Sequence, residues 1–116
     1  MGRSIVILVR QNGLGSVQPG DAEFGLEMFD KLIHTFEKAD TKPSAICFYT
    51  EGVKLACEDS PALLGLKLLQ GMGVRIVVCQ TCLVKYGLTD KLLVGEVGGM
   101  NDIVAVMASA DSVITV

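Results

Sequence analysis

Three apolar runs of strand length most constrain what this chain can fold into. Residues 3–10 hold Ile5-Val6-Ile7-Leu8-Val9, Ala45 to Tyr49 is a second run, and Val74 to Val78 is a third. Nearly continuous Val- and Ile-rich strands belong to parallel sheets covered on both faces. The intervening stretches have helical character. From Asp21, a candidate cap, to Lys38, the residues Phe24, Met28, Phe29, Leu32, Ile33 and Phe36 recur at helical spacing. Thr41-Lys42-Pro43 breaks that helix.

Further along, Val53 to Cys57 predicts a short helical piece. Ser60 as cap with Pro61 at the first helical position predicts a helix running to Gln70, stopped at Gly71-Met72-Gly73. Leu83 to Tyr86 reads as a short helix closed by Gly87. A fourth strand is expected around Leu92 to Val97, then a turn at Gly98-Gly99. A helix from about Asn101 to Ala108 and a closing strand at Ser112 to Thr115 complete the order. This alternation predicts an α/β fold, a mostly parallel sheet of about five strands with helices on both faces. Right-handed crossovers bring the strand C-termini to one edge, where open α/β sheets keep their sites. Four loops converge there: Gln11 to Gly20, Thr50 to Lys54, Cys79 to Cys82 and Gly95 to Met100.

A length of 116 residues suits a single domain, 1–116, with one core. Half of the residues are hydrophobic and the mean hydropathy is +0.49. Such a composition predicts both a fully covered sheet and surface buried against further copies of the chain. A net charge of −3 with scattered Lys and Arg argues against nucleic acid and anionic membranes as partners. No apolar run reaches transmembrane length, and the N-terminal run reads as a core strand rather than a signal peptide. Four cysteines, Cys47, Cys57, Cys79 and Cys82, fit a reducing cytoplasm with one functional thiol pair better than a disulfide framework.

That pair is Cys79-Gln80-Thr81-Cys82, at the turn from the third strand into a helix. Unpaired backbone N–H groups and the helix dipole at such a turn favour a thiolate. Either thiol alone would be an ordinary buried cysteine; two at the functional edge point to chemistry. A dithiol oxidoreductase needs both sulfurs, whereas a persulfide carrier needs one. Spacing alone leaves both readings open. No metal is expected, since one Cys-x-x-Cys supplies two of the four ligands of a structural zinc site and His34 lies off the apolar stripe of its helix. No cofactor is expected either. Gly15 and Gly20 fit a phosphate loop, but Asp21-Ala22 stand where Lys and Ser or Thr are required. A non-catalytic small-molecule- or nucleotide-binding oligomer is the remaining alternative. Glu51, Glu96, Asp102, Lys54 and Cys57 are near the same edge, with surface, capping or packing roles as their default.

Several motifs in order carry a family resemblance. They are Gly20-Asp21-Ala22-Glu23-Phe24-Gly25, Glu51-Gly52-Val53-Lys54-Leu55 with Ser60-Pro61, Cys79-Gln80-Thr81-Cys82-Leu83 with Tyr86-Gly87-Leu88, Lys91-Leu92-Leu93-Val94-Gly95-Glu96-Val97, and Ala110-Asp111-Ser112-Val113-Ile114. Over essentially its whole length the chain resembles the DsrE/DsrF-like family, most closely the C-terminal domain of YedF-type sulfurtransferase-like selenium-metabolism proteins. The resemblance implies a three-layer α/β/α fold, trimers or hexamers, and sulfur relay through a cysteine after the third strand. The sulfur-carrying cysteine of that family stands eight residues before the glycine closing the short helix. Here that residue is Cys79, so the resemblance assigns Cys79 as persulfide carrier for sulfur or selenium. Cys82, at a position that is not Cys in many relatives, becomes its resolving or protecting partner. It also implies separate sulfur donor and acceptor proteins, a SirA/TusA-like carrier among them. Gly98-Gly99 depart from the Thr-Asn that the family places before this methionine.

Overall fold

A computed structural model of the chain describes residues 4–116. Strands β1 (Ile5–Val9), β2 (Ala45–Phe48), β3 (Arg75–Cys79), β4 (Glu96–Gly98) and β5 (Ser112–Thr115) form one sheet in the order β4-β3-β2-β1-β5. Every pairing in it is parallel. Arg3, the first residue of the expected first strand, lies outside the described residues. The helices are α1 (Ala22–Lys38), α2 (Leu63–Gly71), α3 (Gln80–Lys85) and α4 (Met100–Ser109).

Register separates the two faces, because laterally paired residues of parallel strands project to the same side. Val9, Phe48 and Val78 share one row, and the Phe48 ring meets Phe29 of α1 edge-on at 6.1 Å. Val6, Ala45 and Arg75 share a row on the opposite face, where they border a surface hollow with Val106 of α4. From β1 to β4 the chain steps one way across the sheet with α1 and α2 on one face. The return from β4 to β5 reverses direction and sends α4 over the other face. The result is the three-layer α/β/α fold, with Cys47, Cys57 and Cys79 all inside its single apolar core.

Several boundaries differ from the sequence expectation. Leu92 and Leu93 do not enter β4. They clip instead onto the segment before α2, with Leu93 N–H donating to the Ala56 carbonyl (3.0 Å) and Glu58 N–H to the Lys91 carbonyl (2.9 Å). The strand begins only at Glu96, and Gly98 is its last residue rather than part of a turn. Helix α4 starts at Met100, where the Asp102 carboxylate accepts the Gly99 N–H at 2.9 Å. Ser60 Oγ accepts the Ala62 N–H in a turn that precedes α2, whose regular part begins at Leu63. Asp21 makes no side-chain cap bond and closes a 3-10 turn, Pro19–Asp21.

Candidate functional site: two thiols beside a loop cleft

The carboxyl ends of β1, β2 and β3 carry the candidate site. β3 ends on Cys79, and α3 begins at the very next residue, three positions earlier than the apolar pattern suggested. The Cys-x-x-Cys therefore does not precede the helix. Cys79 is the N-cap position and Cys82 is already in the first turn. Cys79 projects to the same face as Arg75 and Val77, is paired with Gly98 of β4, and is 2% exposed. Cys82 is only partly buried.

The Cys82 sulfur accepts a hydrogen bond from the backbone N–H of Thr50, at 3.0 Å. Thr50 follows β2 and has φ +48°, a left-handed conformation that a β-branched residue adopts only under constraint. The constraint is visible. Thr50 Oγ1 lies 2.6 Å from the Arg10 carbonyl and 2.7 Å from that of Tyr49, and Tyr49 N–H donates to the Val9 carbonyl at 3.1 Å. Gly52, in the same turn, passes so close to β1 that a Cβ there would lie 2.1 Å from the Val9 carbonyl oxygen. The turn after β2 is thus pressed onto the end of β1, and this position aims the Thr50 N–H at the sulfur.

At Cys82 the electrostatics work against a resting thiolate. Burial first, then a hydrogen bond with the Cys79 thiol, push the Cys82 pKa up, while the Thr50 N–H pulls in the opposite direction. Partial exclusion of water and a neighbouring thiol outweigh the one backbone donor from the turn after β2. Cys47 is pushed up to about 11 by burial, with the Arg75 charge opposing. Cys57 is also raised by burial, and its thiol donates to the Val53 carbonyl at 3.2 Å. Both are core thiols.

Beside Thr50 opens a cleft of ≈ 510 Å³ bordered by Arg10, Gln11, Asn12, Glu51 and Tyr86, among others. Its outer wall is the glycine-containing loop, which is stitched onto α1. Leu14 N–H donates to the Gly25 carbonyl at 2.9 Å, Gln11 Nε2 donates to Ser16 Oγ at 2.8 Å, and a Cβ on Gly13 would collide with the Gly25 backbone. Tyr86, one turn after Cys82 on α3, also borders a second cavity of ≈ 370 Å³ that reaches Cys57 and Leu88. Lys54 sits over the Tyr86 ring, 4.7 Å from its centroid.

Other residues singled out in the sequence have structural partners, and Glu96, expected at the carboxyl edge, instead begins β4. Glu96 pairs with Arg75 across the sheet, and Asp102 caps α4. His34 engages Glu37 (2.9 Å) and Asp30 (3.4 Å) on its own helix. Sequence reasoning missed Thr50 and Arg10. No local signal marks a threonine for positive φ, and Arg10 read simply as the end of a strand.

The chain is an all-parallel α/β/α sandwich with two cysteines where β3 gives way to α3. A model of the DsrE/DsrF-like family matches residues 22–116, and the chain belongs to that family. Solved structures give the same fold. The ychN protein of E. coli is 21% identical, with a TM-score of 0.67 over 99% of this chain and 100% of that one. MTH1491 of Methanobacterium thermoautotrophicum, described as a protein of unknown function, is 18% identical, with a TM-score of 0.68 over the same shares. BT1422 of Bacteroides thetaiotaomicron, also of unknown function, is 14% identical, with a TM-score of 0.66 over 97% of this chain and 95% of that one. A search of curated proteins returned no match.

Proposed function

We propose that this protein is a sulfur-relay carrier that holds one sulfur, or selenium, atom as a persulfide on its thiol pair. Cys82 is the entry thiol and Cys79 the storage thiol. The observation that carries this reading is the asymmetry of the pair. Cys82 is partly exposed and held by the Thr50 N–H, whereas Cys79 is buried directly behind it. Sulfur accepted by Cys82 passes inward when the Cys79 thiolate attacks the outer sulfur of the Cys82 persulfide. One S–S bond forms, one breaks, and Cys82 recovers its proton as a thiol. A persulfide at Cys79 is then shielded from water and from cytoplasmic reductants until an acceptor docks.

The acceptor in this scheme is a separate SirA/TusA-type carrier protein, and the active form is a homo-oligomer, a trimer or hexamer. Large exposed apolar side chains, among them Phe24 (56%), Leu64 (67%) and Val104 (49%), support burial against further copies. No described helix is long and apolar enough to cross a membrane. A reducing cytoplasm, where all four thiols stay free, suits the scheme.

The test is persulfide loading followed by peptide mapping. Wild type should carry its extra sulfur on Cys79. Cys82→Ser should load slowly or not at all, and Cys79→Ser should load on Cys82 but lose the sulfur quickly to reductant. If the wild-type adduct maps to Cys82 and Cys79→Ser retains sulfur equally long, Cys79 is not the store.

A further inference from the structure

We infer that the cleft beside Thr50 is the donor subsite and that it takes a small zwitterionic thiol, an α-amino-acid persulfide or a short peptide carrying one. This rests on the persulfide reading and names its substrate class. The cleft of ≈ 510 Å³ is of the size that holds small ligands. Two opposite charges border it, Arg10 and Glu51, and among the described residues neither is ion-paired. One cation and one anion on the border of the same cleft complement a ligand with one carboxylate and one ammonium group. They repel a nucleotide, whose phosphates would crowd Glu51 with only Arg10 to offset them. Gln11 and Asn12 add neutral polar groups on the same rim.

Thr50 joins this subsite to the sulfur. It borders the cleft, its hydroxyl reaches the Arg10 carbonyl, and its N–H holds Cys82. Tyr86 borders the cleft from the helix that bears Cys82, one turn further on. Cys82 is not itself on the cleft wall, and Thr50 is the link: in the proposed complex a donor R–S–SH rests its carboxylate at Arg10 and its ammonium at Glu51, and its sulfur chain extends past Thr50 to Cys82. The Cys82 thiolate attacks the terminal sulfur, the S–S bond of the donor breaks, and the leaving thiolate takes the proton given up by Cys82. The products are the Cys82 persulfide and R–SH, with no external oxidant or reductant.

The subsite can be tested without any sulfur transfer, using S-methylcysteine as a non-transferring probe in an amide-shift titration of the whole protein. Saturable binding that shifts the Thr50 and Glu51 amides is expected. Blocking the probe's ammonium (N-acetyl) or its carboxylate (methyl ester) should each weaken binding about tenfold, the loss of one charge-assisted contact. Arg10→Gln should abolish discrimination against the ester, and Glu51→Gln discrimination against the N-acetyl form. No saturable binding, or equal binding of all three probes to wild type, overturns the subsite whether or not the variants fold. So does discrimination that survives both substitutions. The two readings separate cleanly. If S-methylcysteine binds as described but neither cysteine persulfide nor inorganic hydrodisulfide loads either thiol, the carrier reading falls and the cleft stands only as a site for a zwitterion. If inorganic hydrodisulfide loads the protein while S-methylcysteine does not bind, the subsite falls and the carrier reading stands.

Discussion

The Thr50 N–H and the Cys82 sulfur meet at 3.0 Å although the two residues are 32 positions apart. Thr50 holds a left-handed backbone to make that contact, and its hydroxyl secures the conformation against Arg10 and Tyr49. Thr50→Val keeps the shape and removes the hydroxyl. We expect a stability loss of about 1 kcal/mol in urea unfolding. We also expect slower alkylation of Cys82 at fixed pH, because the N–H is no longer held on the sulfur. An unchanged alkylation rate would show that the hydroxyl does not position Cys82.

Cys82 itself should titrate above an ordinary cysteine. The midpoint of its pH–rate profile for alkylation should lie above that of a free cysteine, the direction set by burial and by the Cys79 thiol. Cys79→Ala removes the second of these influences and should move the midpoint of the pH–rate profile downward. Cys79→Ser keeps a hydroxyl beside Cys82 with little change of volume, so comparing its midpoint with that of Cys79→Ala separates the loss of the neighbouring thiol from the entry of water.

The raised thiols also set the alkaline limit of stability. Cys47, Cys57 and Cys82 all bind their protons more tightly in the folded chain than in the unfolded one. The folded state therefore holds more protons between the two sets of pKa values, and stability falls as pH rises. The contribution is complete below the unfolded thiol pKa of about 8.5. It is lost progressively toward the Cys47 value of about 11. Urea midpoints at about pH 8 and about pH 10.5 should differ. Cys47→Ala should lower both midpoints through its cavity and narrow the gap between them.

Gly52→Ala should be the most damaging small change at the site. The added methyl would lie 2.1 Å from the Val9 carbonyl oxygen and 2.8 Å from its carbon, both rigid backbone atoms. Displacing that turn should cost about 3 kcal/mol. It should also expose Cys82 to faster modification, which thiol labelling in the native state would report.

The carboxylates at the start of β4 and at the start of α4 should behave differently. Asp102→Ala leaves the Gly99 N–H at the start of α4 without its acceptor, and thermal unfolding should register about 1 kcal/mol. Glu96→Gln disturbs a pair with Arg75 that is about half exposed at both ends. That change should stay within about 0.5 kcal/mol and shrink further in salt.

The legible parts of the fold are those that depend on local periodicity. The Ile5–Val9, Ala45–Phe48 and Arg75–Cys79 strands and the Phe24–Phe36 stripe of α1 stand where the apolar pattern puts them. The misplaced boundaries are those that a distant partner decides. Leu92 and Leu93 are as apolar as a strand requires, yet Ala56 and Cys57 capture them in an antiparallel clip. Helix α3 starts at Gln80 because β3 ends there, although Gln80-Thr81 carries no apolar signal of its own.

Residue order and type by themselves determined the parallel α/β architecture, the convergence of the loops at one edge and the placing of two thiols there. Each follows from periodicity, chain reversal and the handedness of crossovers, which are local or topological. Only the tertiary structure decided what distinguishes the two sulfurs. The left-handed turn at Thr50, the crossing of Gly52 over Val9 and the burial of Cys79 beside β4 depend on contacts between segments far apart in the chain. Desolvation and backbone aim are properties of those contacts, and no spacing of residues encodes them.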